Sequence, residues 1–222
     1  MHSRDHYADR AAAAQVLVEH LGEYRDRNPL VLGIPRGGVP MAAIIARQLG
    51  GECDVVLVHK LGAPFDPEYA IGAIDENGVV RLEPMAEVIG IPPGFLSQEQ
   101  ARQHAILVER RRQYGATAID AGGRIAIVAD DGVATGATMI AALHAVRARQ
   151  PAELVCAVPV GAPESLARIA PLVDRLVCPL APPDFRGVSQ FYMAFPQVED
   201  EEVMAALARP AQAAGNDEHR PV

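Results

Sequence analysis

Tryptophan is missing from this 222-residue chain, and lysine nearly so: nineteen of its twenty basic residues are arginine, which leaves Lys60 as the sole lysine. Cysteine is sparse. Cys53, Cys156 and Cys178 lie in apolar runs with no C-x-x-C spacing, which argues against a disulfide framework and leaves them as small core residues. No apolar stretch reaches the roughly 18 residues a membrane span requires. With the charged opening Met1-His-Ser-Arg-Asp-His-Tyr7, this sets the expectation of a cytoplasmic protein with no membrane contact. Net positive charge is also absent: the formal charge of −8 argues against a nucleic-acid-binding face. There is no internal repeat. Half of the residues are apolar, enough for one compact domain with a full core.

The most informative stretch runs from Arg124 to Thr138, Arg-Ile-Ala-Ile-Val-Ala-Asp-Asp-Gly-Val-Ala-Thr-Gly-Ala-Thr. Ile125 to Ala129 form an uninterrupted apolar run, as in a strand covered on both faces, and Asp130 and Asp131 stop it. Behind the acids, Gly132, Thr135, Gly136, Ala137 and Thr138 let backbone N–H groups approach an anion, and an Ala-rich helix from Met139 to Arg149 adds the donors and dipole of its N-terminus. A phosphate suits that place. Two carboxylates beside a phosphate repel it unless hydroxyls or a hydrated cation lie between, so the pattern points to a phosphorylated sugar with Mg²⁺.

These residues resemble the phosphoribosyl-diphosphate (PRPP) signature of type I phosphoribosyltransferases: an apolar run, two acids, then a Thr-Gly-x-Thr loop. The resemblance implies that Ala134, Thr135, Gly136, Ala137 and Thr138 line the ribose 5-phosphate and that Asp130 and Asp131 face the ribose hydroxyls. Mg²⁺ would be held by PRPP and water, with Asp130 or Asp131 as the nearest protein groups and no direct metal ligand assigned. Some 6-oxopurine members carry an Asp just before the Thr-Gly that acts as base toward the purine. Here that place is Ala134, which weakens the case for guanine or hypoxanthine as acceptor.

Upstream, Leu30 to Gly33 read as a strand, followed by Ile34-Pro-Arg-Gly-Gly-Val-Pro40 and a helix from Met41 to Leu49. Arg36 with Gly37 and Gly38 joins a fork-shaped cation to a flexible backbone, and this segment resembles the family's diphosphate loop. Lys60 ends the apolar run Asp54 to Lys60, where open parallel sheets collect ligands. The family carries a diphosphate-contacting base near that strand end; the other reading is an exposed lysine closing a strand.

The repeating βα order gives an α/β fold, a parallel sheet with helices on both faces; the resemblance implies its type I phosphoribosyltransferase, Rossmann-like form, with a β-hairpin and helix flap and a small hood. The single domain spans 1–209, with the core at about 28–182, the flap at about 66–118 and the hood at about 182–198, and 210–222 read as a disordered tail. An amphipathic helix is expected over 8–21. Tyr69 to Leu82, with its Asn77-Gly78 turn, reads as a hairpin. A long helix then ends near Tyr114; Tyr114 and one of Arg110 to Arg112 are candidates to reach the diphosphate, against a solvated basic helix end complementing its dipole. In the hood, Phe185, Phe191 and Tyr192 are candidates to stack on the acceptor, against a plain role in the core or a dimer contact.

The resemblance implies a transferase that moves the 5-phosphoribosyl group of PRPP to a nitrogenous small-molecule acceptor, with Mg²⁺, releasing diphosphate with inversion at the anomeric carbon. Asp130, Asp131, Arg36 and Lys60 would be its catalytic set, and a homodimer is a common state of similar proteins. The competing reading is a PRPP-binding sensor without turnover, motivated by the missing base at Ala134.

Overall fold

The computed structural model describes residues 6–83, 85–115 and 118–208, without the side chains of residues 67, 68, 70, 85 and 87. The expected tail at 210–222 lies outside the described residues. In chain order the elements are α1 (Arg10–His20), β1 (Leu30–Gly33), α2 (Gly38–Leu49), β2 (Glu52–Val55), β3 (Val58–Ala63), β4 (Asp66–Asp75), β5 (Val80–Leu82), α3 (Met85–Ile89), α4 (Phe95–Gln113), β6 (Ile125–Ala129), α5 (Ala137–Arg147), β7 (Glu153–Ala157), α6 (Pro163–Ile169), β8 (Arg175–Val177) and α7 (Asp200–Leu207). None of the described helices is long and apolar enough to cross a membrane.

Five strands form one parallel sheet in the order β2-β1-β6-β7-β8. Because side chains alternate along a strand, Val31, Ile127 and Val155 face α1 and α2, whereas Leu30, Leu32, Val128 and Leu154 face α5 and α6. The sheet is therefore sandwiched between helices, as its apolar strands predicted. β6 lies at its centre, so the turn after it opens at the middle of the sheet's C-terminal edge.

Strand β2 leaves this sheet earlier than the apolar run suggested. The last bond of that pairing joins the Val56 N–H to the Gly33 carbonyl, and Val58 begins a second, antiparallel sheet in the order β3-β4-β5. Lys60 thus stands within β3 of the antiparallel sheet, not at the end of a parallel strand. The break is driven by burial: Val55 and Leu57 turn into a third apolar cluster with Leu61, Ile71, Ile74, Leu107 of α4 and Val203 of α7.

At the end of the long helix α4, Arg110 and Arg112 are solvated as a basic helix end, whereas Arg111 enters a buried ionic hub. Arg111 binds Asp54 of β2 at 2.6 Å, Glu76 of the β4–β5 turn at 2.5 and 2.7 Å, and the Val55 carbonyl at 3.0 Å. Arg149, just past α5, adds a bond to Glu76 at 3.1 Å. One guanidinium thereby ties the hairpin to the parallel core. Tyr114 is buried and bonds Asp200 of α7 at 3.1 Å.

Candidate active site

Beyond Ala129 the chain turns sharply. The Asp130 carboxylate accepts the Asp131 N–H at 2.9 Å, and the Val133 N–H bonds the Val160 carbonyl, so the loop is pinned at its start. Its far side is held by α6: the Ser165 hydroxyl donates to the Ala134 carbonyl at 2.6 Å, and the Arg168 guanidinium donates to the Thr135 carbonyl. Gly136 then adopts a left-handed conformation (φ 77°) and opens α5. With the carbonyls turned back toward α6, Thr135, Ala137 and Thr138 remain exposed. Among the described residues, the amides from Thr135 to Thr138 donate to no backbone carbonyl. A row of such amides at the N-terminus of an 11-residue helix has the donors and dipole that favour an anion.

The Pro-Arg-Gly-Gly loop lies against the acids. A Cβ on Gly37 would collide with the Asp131 carboxylate, and one on Gly38 would stand 2.5 Å from the Ala129 carbonyl and 2.9 Å from Asp130 Cα. Glycine is required at both places by this approach, and α2 starts at Gly38 with the Gly38 N–H on the Ile34 carbonyl. The Pro35–Arg36 peptide is cis. The Arg36 side chain pairs at 3.3 Å with Glu199, the N-cap of α7, and is about one-third exposed. Arg36 and Gly37 border a cleft of about 360 Å³ closed by Arg10, Phe195, Pro196 and Val198.

Sequence reasoning gave no sign of Arg10. From the first turn of α1 its guanidinium reaches Asp131 Oδ2 with two nitrogens at 2.8 Å, donates to the Pro196 carbonyl at 2.6 Å and covers the Phe195 ring at 3.8 Å. The Tyr192 hydroxyl donates to the Asp131 carbonyl at 2.7 Å. Asp131 is thus clasped from three sides, by α1, by the hood and by the Gly37 backbone.

The carboxyls are strained electrostatically. Burial, reinforced by the neighbouring Asp131 charge, pushes the Asp130 carboxyl well above the usual range; the Asp131 N–H and Arg10 offset only part of this. Burial also raises Asp131 despite its Arg10 partner. The pair therefore resists carrying two charges until cations or hydroxyl donors arrive, which is the state a ligand with both would relieve.

Asp130, Asp131, Gly37, Gly38 and the 134–138 loop thus converge, with Arg36 at their rim. Lys60 does not join them: it lines a different cavity, which it shares with Ala137 and Thr138. The hood aromatics are spent on packing. Phe191 and Tyr192 are 5% and 6% exposed, Phe185 stacks on Phe191 at 5.6 Å, and Tyr192 packs on Tyr7 and Phe195. Tyr7 pairs with this segment through its own backbone, accepting the Met193 N–H and donating to the Phe191 carbonyl. The core alternative is the one realised for Phe191 and Tyr192.

A central parallel sheet with a turn of open amides after its middle strand and a glycine loop against twin acids defines an α/β protein with its candidate site at the C-terminal edge of the sheet. The chain belongs to the phosphoribosyl transferase family: the model of the phosphoribosyl transferase domain matches residues 66–196. Two Mycobacterium tuberculosis proteins, named "Putative phosphoribosyl transferase MT0597" (strain CDC 1551 / Oshkosh) and "Putative phosphoribosyl transferase Rv0571c" (strain H37Rv), are each 39% identical over 206 residues, 91% of this chain. That match covers 46% of each of them, so the chain spans about half the length of these curated relatives. Among solved structures, TT1426 from Thermus thermophilus is 42% identical with a TM-score of 0.82, over 91% of this chain and 97% of that one.

Proposed function

We propose that this protein is a phosphoribosyltransferase that uses PRPP and Mg²⁺ to transfer a 5-phosphoribosyl group to a nitrogenous acceptor, a nucleobase being the simplest, with release of diphosphate. The observation that carries this reading is the close packing of Gly37 on Asp131 beside the open amides of Thr135 to Thr138. Two anion-friendly backbone segments flank one pair of acids, which is the layout needed to hold a pentose with a phosphate at one end and a diphosphate at the other.

In this reading the 134–138 amides and the α5 dipole hold the 5-phosphate. Asp130 and the free oxygen of Asp131 accept the ribose hydroxyls, and their charge offsets the positive character that grows on the sugar as the anomeric bond breaks. Arg36 and the Gly37 amide bind the departing diphosphate, for which the Glu199 pair would open, whereas the Gly38 N–H stays on the Ile34 carbonyl. Arg10 fixes Asp131 so that it meets the ribose without reorganisation. Among the described residues no three His, Cys, Asp or Glu side chains converge as a metal cage. The donor set fits an ion carried mainly by ligand oxygens and water, and bound Mg²⁺ would neutralise the leaving diphosphate.

A sensor without turnover is favoured by one feature, Ala134 at the place where some members keep a base. Diphosphate release, followed with PRPP, Mg²⁺ and a panel of purine and pyrimidine bases, separates the two. Base-dependent release with at least one acceptor is expected; PRPP binding with no release across the panel would establish the sensor instead.

A further inference from the structure

Every carbonyl from Val133 to Gly136 has a donor, whereas, among the described residues, the N–H groups from Ala134 to Ala137 donate to no backbone carbonyl. The Val133 carbonyl accepts the Ala162 N–H at 2.9 Å, and the Ala134 carbonyl accepts the Ser165 hydroxyl at 2.6 Å. The Thr135 carbonyl accepts the Arg168 guanidinium, and the Gly136 carbonyl accepts the Ile140 N–H at 2.8 Å. Three of these four donors come from one short stretch, at positions 162, 165 and 168. Ser165 and Arg168 lie three residues apart on α6, so both face the loop. A Cβ on Gly136 would stand 3.3 Å from Ser165 Cβ and 3.5 Å from the Arg168 guanidinium, which shows how closely the loop rests on that face.

A peptide unit joins the carbonyl of one residue to the N–H of the next, and in the trans form the two point in opposite directions. The loop peptides are trans. Drawing the Ala134 and Thr135 carbonyls toward α6 therefore turns the Thr135 and Gly136 N–H groups away from it, outward to the site. Hydrogen bonding at a carbonyl also polarises the amide conjugated with it, strengthening its donor by about 10–30% per bond. Ser165 thus acts on the Thr135 N–H and Arg168 on the Gly136 N–H. The two differ in kind: Ser165 is buried and neutral, whereas Arg168 is exposed and carries a charge, and its bond to the carbonyl is charge-assisted.

We propose that Ser165 and Arg168 are positioning residues for the phosphoryl group: through the Ala134 and Thr135 carbonyls they aim and polarise the Thr135 and Gly136 amides, and the Arg168 charge behind the loop favours a dianionic phosphate monoester over a monoanionic ester. This rests on the reading that places the 5-phosphate at the 134–138 loop. Neither side chain touches the ligand. A purely structural prop would hold the loop for any anion alike, whereas a cation one peptide plane away discriminates by ligand charge.

The test is calorimetry on the full chain with Mg²⁺ at pH 8, where a phosphate monoester is a dianion, comparing D-ribose 5-phosphate with the monoanionic D-ribose 5-sulfate. Wild type should bind the phosphate about tenfold tighter than the sulfate. Arg168→Met, at an exposed position, should weaken the phosphate about tenfold and the sulfate at most about threefold, and Arg168→Lys should recover most of the loss. Ser165→Ala should weaken both ligands by a similar factor, about threefold, and in the ligand-free chain should shift the Thr135 amide in ¹⁵N spectra, as Arg168→Met shifts that of Gly136. Wild-type phosphate affinity in Arg168→Met, an equal loss for both ligands, or no recovery by Arg168→Lys would overturn the proposal while the phosphate reading stands. No phosphate binding by wild type would remove that reading and the proposal with it.

Discussion

Replacing Arg10 by Met keeps the length and apolar stem of the side chain and removes its charge, so it isolates the grip on Asp131. The guanidinium makes two 2.8 Å contacts with Asp131 Oδ2, one 2.6 Å bond to the Pro196 carbonyl and a stack on Phe195. Breaking a buried pair costs about 3–5 kcal/mol, because the remaining charge is left without a partner. Arg10 and Asp131 keep 13% and 16% exposure, so water recovers part of this and the expected loss is about 2–4 kcal/mol. With a urea m-value of about 2 kcal/mol/M, the midpoint should fall by about 1–2 M. A double-mutant cycle with Asp131→Asn separates the pair from the packing: a coupling of about 1.5 kcal/mol or more is expected near pH 7.5. Burial raises the Asp131 carboxyl above its ordinary range, so its charge is lost as pH falls toward 4 and the coupling should shrink. Coupling under about 0.5 kcal/mol at pH 7.5, or coupling equal at both pH values, would refute the clasp.

Three further outcomes are expected. Gly37→Ala drives a Cβ into Asp131, so PRPP affinity should drop by at least about tenfold with about 1–3 kcal/mol lost in stability; Gly22→Ala, where nothing lies within 4 Å, serves as the control, and equal behaviour of the two in calorimetry and melting would contradict the packing. Asp130 and Asp131 are both raised, so the folded chain keeps protons that the unfolded chain has lost; this contribution to stability is complete below the ordinary carboxylate range and is lost as pH rises through the folded values. Binding of Mg²⁺ and PRPP should therefore release protons in mildly acidic buffer, more for wild type than for Asp130→Asn, as read by calorimetry in buffers of different ionisation heat; equal release would remove Asp130 from the ligand. Arg111→Met should cost about 3–5 kcal/mol and expose the β4–β5 amides to hydrogen exchange, while unchanged exchange would show that the hub does not hold the hairpin.

The parts legible in the sequence are those whose signal is local. The Ile125–Ala129 strand, its acids and the small-residue loop follow from an unbroken apolar run, two carboxylates and a left-handed Gly136, all within fifteen positions. The Asn77-Gly78 turn located its hairpin for the same reason. The end of β2 was not legible, because Val55 to Val58 are apolar throughout and no Gly or Pro marks where the chain quits one sheet for another. Arg10 lies 121 positions from Asp131, so no spacing rule joins them. The hood aromatics show the same limit: the sequence left Phe191 and Tyr192 between acceptor stacking and packing, because no local signal shows that Tyr7 covers them. For Arg111, an arginine triplet at a helix end reads as solvated until Asp54 and Glu76 are brought beneath it.

The most direct test of the phosphate grip is an amide NMR titration of the ¹⁵N-labelled chain with ribose 5-phosphate and Mg²⁺, followed by diphosphate. Saturable shifts of the Thr135, Gly136, Ala137 and Thr138 amides on the first addition, and of Gly37 on the second, are expected. Shifts that bypass the 135–138 amides, or none at millimolar ligand, would contradict it.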